Sequence, residues 1–347
     1  MVSRRDVATD AGVSERTVSN VVNGFEHVAP ATRARVLASI QRLSYRPSEL
    51  ARSLKRGRSG LIGLMLPQLD NPYFAEITRT LVQEGTSHGL TVVIDQTDGD
   101  RALELAWLGR ANGALFDAMI LSPLSLVRTD FDALHPGIPI VFLGEDHYPG
   151  FDRVAVDSVE ASRTATAHLL AAGRHRIAAF GANTRPGGTS AQRLAGYRAA
   201  VEDAGVEFDE ELVIHLSGFT RAEGYRAMCE LLDRGVEVDG IFCFADPMAL
   251  GAIRALNERG IRVPEDVAVV GFDDVEEGLF STPSLTSIRP DKDWLARTAF
   301  DRLLRRLNGE DLQPEFLPIP FDLTVRETAP APGTQGRVPE LAEARAD

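Results

Sequence analysis

The chain has 347 residues, 44% of them apolar and 25% charged, and a net charge of −13. This is a globular composition long enough for two or three domains, and it excludes a low-complexity or collagen-like chain. The two cysteines, Cys229 and Cys243, lie in apolar stretches and form no CxxC pair, so they read as small buried hydrophobes in a reducing cytosol rather than as metal or redox groups.

No window approaches 18 consecutive apolar residues, so no transmembrane helix is expected. The start, Met1-Val2-Ser3-Arg4-Arg5-Asp6, leads into no apolar core, so no secretory signal is read there and a cytoplasmic protein without a membrane partner is expected. The charge is unevenly spread. Residues 1–60 hold eleven Lys/Arg against five acids and carry +6, which leaves −19 on the remainder. A basic head on an acidic body is the asymmetry expected when one end meets a polyanion.

Three short helices are expected in that head. The first runs from Arg4 to Asp10, turns Val7 and Ala8 inward and ends at Gly12. Ser14 then caps a second helix, Glu15 to Asn23, whose buried face is Val18, Val21 and Val22. A third spans about Pro30 to Leu43, with Val36, Leu37, Ile40 and Leu43 as its apolar stripe. Two short helices joined by a tight turn, with a third completing the core, is the helix-turn-helix plan, whose second helix enters the DNA major groove. Arg16 suits guanine O6/N7, Asn20 adenine N6/N7 and Glu15 cytosine N4, with Thr17 as a fourth base-edge candidate. Ser14, Ser19 and Arg33 read as phosphate contacts, which position the helix without reading sequence.

The run Asp6-Val7-Ala8-x-x-Ala11-Gly12-Val13-Ser14-x-x-Thr17-Val18-Ser19-x-Val21-x-Asn23-Gly24 closely resembles the DNA-binding head of the LacI/GalR family of bacterial transcriptional repressors. Tyr45-Arg46-Pro47-Ser48-x-x-Ala51-Arg52-Ser53-Leu54 is similar to the family's hinge, and a looser likeness continues to about Glu327. The resemblance implies paired hinge helices in the minor groove, with Leu54 as the wedge that kinks the duplex, Ala51 allowing close approach, and Lys55, Arg56 and Arg58 on phosphates. So short a helix is marginal alone, which makes it the element a ligand would switch.

After Gly60 strands alternate with helices. Strands are expected at Leu61–Leu66, Thr91–Ile94, Ala118–Leu121, Ile140–Leu143, Val154–Val156, Ile177–Gly181, Leu212–Leu216, Gly240–Phe244 and Val267–Phe272. Helices are expected at Phe74–Ser87, Ser158–Ala172, Leu194–Ala204, Thr220–Arg234, Pro247–Arg259 and Trp294–Leu307. Nine near-continuous apolar strands over about 270 residues suit two parallel sheets covered on both faces. The expected fold is an all-α helix-turn-helix head plus an α/β body of two Rossmann-like lobes, similar by family resemblance to periplasmic binding proteins. The expected division is 1–46 head, 47–58 hinge, 59–328 effector-binding and dimerisation body, and 329–347 disordered tail. Within the body, lobe 1 takes about 59–157 and 290–319, and lobe 2 about 158–289 and 320–328.

Ligands of such folds sit at the carboxyl ends of strands. The loop after the first strand, Pro67 to Phe74, offers Tyr73 and Phe74 to stack on a sugar or base, and Asp70 or Asn71 to bond hydroxyls. Arg193, Phe219 and Asp273 stand where the resemblance implies an effector-contacting arginine, a covering aromatic and a carboxylate. The family pattern is not kept throughout. Gly144 stands where a polar residue often follows the fourth strand, with Glu145 and Asp146 just beyond; Ala245 replaces a frequent Asn; and Gly187-Gly188 lie in a loop that carries Arg in purine-sensing members. These departures count against a purine and against any transferred list of hydroxyl contacts, while the family resemblance implies a sugar or sugar derivative as the effector.

The segment from Ala329 shows no heptad, so a homodimer reading a pseudo-palindromic operator in double-stranded DNA is expected rather than a zipper-joined tetramer. An enzyme is the main rival, but no GxxxxGK, HExxH, GxSxG or paired Cys/His spacing is present, so no catalytic residue, metal or cofactor is expected. A free-standing periplasmic binding protein fits the body but not the basic helical head.

Overall fold

The computed structural model describes residues 2–22, 24–25, 27–45, 58–113, 115–131, 136–183 and 187–331. The chain divides into two compact units, Met1–Gly60 and Leu61–Asp347. The expected hinge residues Ala51, Leu54 and Lys55 lie outside the described residues.

The first unit holds α1 (Arg4–Ala11), α2 (Glu15–Val22) and α3 (Pro30–Arg42). Ser3 caps α1 in a reciprocal box with Asp6, whose carboxyl is held below its usual range by the Ser3 backbone N–H and hydroxyl. Gly12 ends α1 in the left-handed region at φ 62°, where a residue with a Cβ would be strained. The core is Val7, Ala8, Ala11, Val18, Val21 and Val36, flanked by Ile40 and Leu43. Each fully buried Val stabilises the unit by roughly 1.5–3 kcal/mol.

The α3 stripe differs from expectation at one position. Leu37 is 50% exposed, and Ser39 is fully buried in its place. The inward face is therefore 36, 39, 40 and 43, a helical repeat that the hydrophobicity of Leu37 obscures. Ser39 Oγ is satisfied there by donating to the Val7 carbonyl at 3.3 Å and to Asp10 at 2.5 Å. Arg42 also donates to Asp10, so one carboxylate of α1 ties down the last turns of α3.

The second unit alternates strands and helices: β1 (Leu61–Leu66), α4 (Pro72–Ser87), β2 (Thr91–Gln96), α5 (Arg101–Gly109), β3 (Ala118–Leu121), β4 (Ile140–Leu143), β5 (Asp152–Val156), α6 (Ser158–Ala171), β6 (Ile177–Ala182), α7 (Gly188–Asp203), β7 (Val213–His215), α8 (Arg221–Asp233), β8 (Gly240–Cys243), α9 (Asp246–Glu258), β9 (Ala268–Phe272), α10 (Glu276–Leu279), β10 (Thr286–Pro290), α11 (Lys292–Leu307), β11 (Phe316–Ile319) and β12 (Phe321–Thr324). They build two six-stranded sheets, ordered β11-β5-β4-β3-β1-β2 and β12-β10-β9-β8-β6-β7. All pairings are parallel except β12 on β10. The chain thus passes between sheets after β5, after β10 and after β11. Ala329 is buried, and its carbonyl accepts from His168 Nε2 at 2.8 Å, so the ordered chain runs past the last strand into the segment expected to be tail.

The nine expected strands are all present, and β10, β11 and β12 join them. Each of the three departs from the pattern of a fully buried parallel strand. β10 buries the polar Thr286 and Ser287, β11 carries Pro318 at a sheet edge, and β12 is a half-exposed edge strand. β2 is also an edge, and it exposes Val93 and Ile94 rather than lying covered. Helix pairs approach closely through glycine: a Cβ on Gly251 of α9 would lie 2.0 Å from the Arg221 carbonyl at the start of α8. Among the described residues no helix is long and apolar enough to cross a membrane.

Candidate functional site

In the first unit the N-terminus of α2 is locked before it meets any partner. Ser14 Oγ accepts from the Thr17 N–H at 3.1 Å and bonds the Thr17 hydroxyl at 2.9 Å. Glu15 pairs with Arg4 of α1 at 3.1 Å, while Arg16 projects exposed. Arg4, Glu15, Arg16, Ser19 and Asn20 together line a surface concavity of about 480 Å³. Four of those five come from α2, so one face of this helix gathers the hydrogen-bonding side chains that direct base readout needs. Arg33 donates to the Phe25 carbonyl at 2.6 Å, which fixes the loop between α2 and α3. Arg4 was not singled out from sequence, because its role comes from the angle between α1 and α2 and not from its spacing.

In the second unit the carboxyl ends of strands from both sheets meet around Arg193. This residue sits on α7, and only 8% of its side chain is exposed. One Nη donates to the Phe244 carbonyl just beyond β8. The other lies 3.7 Å from Glu145, beyond β4, and 3.8 Å from Asp273, beyond β9. The guanidinium stacks 3.5 Å over the Phe272 ring. Glu145 accepts from Ser158 Oγ at 2.7 Å and from Thr189 Oγ1 at 2.6 Å, and its carbonyl accepts from Gln192 at 3.1 Å. A carboxylate from the first sheet is thus held by α6 and α7, which accompany the second.

Asp273 is buried and has φ 108°, a backbone region that side chains rarely adopt. Burial pushes its carboxyl up to about 7, against the pull of Arg193 and Lys292. Tyr73 joins the same group. Burial, then the nearby Asp273 and Glu145 carboxylates, raise its hydroxyl well above the usual range, which keeps it a neutral donor. On the other flank Glu76 of α4 pairs with Lys292, accepts from the Glu276 N–H at 2.9 Å, and so clips α4 to α10 and α11.

Of the seven effector candidates, then, Tyr73, Arg193 and Asp273 are brought together. Phe74 flanks Tyr73 edge-on with ring centroids 5.3 Å apart. Asn71 spends its side-chain oxygen capping α4 on the Tyr73 N–H at 3.1 Å, and Asp70 is exposed on the loop before it. Phe219 is half-buried against the apolar core. No group of three or more His, Cys, Asp or Glu among the described residues is arranged to hold a metal.

Residues 5–48 match the family described as bacterial regulatory proteins, lacI family, and residues 166–329 match the periplasmic binding protein-like domain. The chain is 34% identical over 316 residues to the HTH-type transcriptional repressor PurR of Erwinia tasmaniensis, covering 89% of this chain and 92% of that one. The chain belongs to the LacI family. Solved structures agree. A transcriptional regulator CelR–cellobiose complex is 33% identical, covers 94% of this chain and 100% of that one, and has a TM-score of 0.69. The lac repressor dimer bound to operator and the anti-inducer ONPF is 28% identical over 95% of this chain and 99% of that one, with a TM-score of 0.84. The fold is therefore the LacI-family one: a helix-turn-helix head and a two-lobed periplasmic-binding-protein-like body, in a DNA-binding transcriptional regulator.

Within this LacI-family body the sequence reading missed Glu145 as a partner of Arg193. Gly144 drew attention as a lost polar group, and it is the next residue, Glu145, whose carboxylate reaches Arg193. Ser158, Thr189 and the Glu76–Lys292 clip were missed as well. Helix-terminal Ser, Thr and Lys are too common for any one to stand out in sequence.

Proposed function

We propose that the chain is a homodimeric repressor that binds a pseudo-palindromic operator through Ser14, Glu15, Arg16, Thr17 and Asn20, and releases or tightens it when a carbohydrate occupies the cleft at Tyr73, Arg193 and Asp273. The observation that carries this reading is the Arg193 cluster. A guanidinium between two carboxylates beside a tyrosine hydroxyl offers alternating acceptors and donors, which is what a ring of hydroxyls needs, and aromatic walls flank it. The reading is a binding function with no catalytic step, and such a regulator works in the cytoplasm, where the DNA is. Residues 47–58, as a hinge, would pass the change in the body to the head. An effector shifts the DNA equilibrium only by its differential affinity for the two states, about 5–150-fold in typical couplings.

The test is a selection of bound duplexes from a random-sequence pool with the full chain. Fluorescence anisotropy on the selected duplex follows, with and without a panel of neutral sugars and of nucleobases. Recovery of a two-fold-related motif whose affinity a sugar alters supports the reading. A motif whose affinity only a purine nucleobase alters would replace the carbohydrate with a purine. Failure to enrich any motif would contradict sequence-specific binding.

A further inference from the structure

Around Arg193 the positive charge is already matched by carboxylates of the protein itself. Two guanidiniums, Arg193 and Arg153, face two carboxylates, Glu145 and Asp146, with the buried Asp273 carboxyl beside Arg193 as a third acidic group. Arg153 is already engaged. It donates to the Glu145 carbonyl and stacks 4.1 Å over Phe316, so it stands behind the loop. Asp146 lies against the Gly187–Gly188 turn, where a Cβ on Gly188 would come within 3.5 Å of its carboxylate. The Glu76–Lys292 clip is balanced within itself.

We infer that Glu145 makes this cleft selective for an uncharged polyhydroxylated ligand and excludes sugar phosphates and uronic acids, because the ligand must share Arg193 with a fixed carboxylate. Glu145 is held on three sides, by Ser158, Thr189 and Arg193, so it does not swing away when a ligand enters. A neutral hydroxyl both donates to Glu145 and accepts from Arg193. An anion in that place accepts from Arg193 alone and meets Glu145 as a like charge, joined by Asp273 when that carboxyl is ionised, in a site shielded from water, where screening is weak. Arg193 therefore serves to orient rather than to neutralise. The inference rests on the carbohydrate reading above and narrows it to a charge class.

The experiment is isothermal titration calorimetry of the full chain against neutral sugars, each paired with its own charged derivatives: glucose with glucose 6-phosphate, glucuronate and glucosamine, ribose with ribose 5-phosphate, and cellobiose with cellobionate. The expected result is that the neutral member of the binding pair is preferred over its anion by ~100-fold, and that Glu145→Gln narrows this ratio at least ~10-fold. Glu145→Asp, which keeps the charge, should restore much of the ratio, and thermal unfolding of both variants reports whether the fold is kept. An anion that binds the unaltered chain as well as its neutral parent overturns the inference while leaving the carbohydrate reading intact. So does a ratio unchanged in folded Glu145→Gln. Preference for glucosamine over glucose would overturn the neutral assignment in favour of a cation. Binding by no sugar in any pair overturns the carbohydrate reading, and this inference with it.

Discussion

Arg193 touches groups from the ends of β4, β8 and β9 and from the start of α6, so the cleft depends on one side chain more than on any other. Replacing it with Ala leaves Glu145 and Asp273 buried without their cation. The expected cost is about 3–5 kcal/mol, measured by urea unfolding. Asp273 supplies a prediction in pH. Its carboxyl titrates near 7 in the fold, above its unfolded value of about 4. A carboxyl raised in this way gives its full stability below the unfolded value and loses it as pH rises through the folded one. Asp273→Asn, which cannot ionise, should therefore gain stability relative to the unaltered chain between pH 4 and 7 and level off above pH 8. A stability difference that stayed flat with pH, or ran the other way, would contradict the buried, charge-coupled placement of Asp273. At this scale the sequence made Tyr73, Arg193 and Asp273 legible through the family's motifs, but it did not make Glu145 legible. A loop carboxylate has no periodicity, and only the folded loop shows that it points at Arg193.

The elements read more easily than the residues. Parallel strands buried on both faces leave continuous apolar runs, as in the fully buried β3, β4 and β8, and these were visible directly. β10 was not, because its buried Thr286 and Ser287 are satisfied by hydrogen bonds to the far end of the chain and to Asp246, which no local pattern announces. The same limit applies to α3, where Ser39 and not Leu37 faces inward. Two substitutions check that register. Leu37→Ser should change stability by no more than about 0.5 kcal/mol, whereas Val36→Ala should cost roughly 2 kcal/mol, both read from the head's unfolding transition. Equal costs would place α3 in the expected register after all. Helix packing gives a further case. Gly251→Ala must push α9 away from α8, since its Cβ would meet the Arg221 carbonyl at 2.0 Å. A loss of about 1–3 kcal/mol in thermal or urea unfolding is expected, and a neutral result would mean the two helices lie further apart than described.

Taken whole, the molecule separates its charge: +6 on residues 1–60 and −19 on the rest. Phosphate is expected to repel the acidic body, which would confine DNA contact to the basic head and make that contact depend on salt. With six or more phosphates neutralised across a dimer, affinity should fall by about 10³-fold or more between 50 and 200 mM salt. A salt-independent affinity would contradict the electrostatic division. The central claim is the link between the two units: a ligand held at Arg193 changes what the head does on DNA. The most direct measurement is one anisotropy isotherm of the full chain on its selected duplex, repeated at saturating concentration of the sugar that calorimetry shows to bind. The account predicts a shift of about 5–150-fold in the DNA dissociation constant. Superimposable isotherms, with the sugar demonstrably bound, would contradict it.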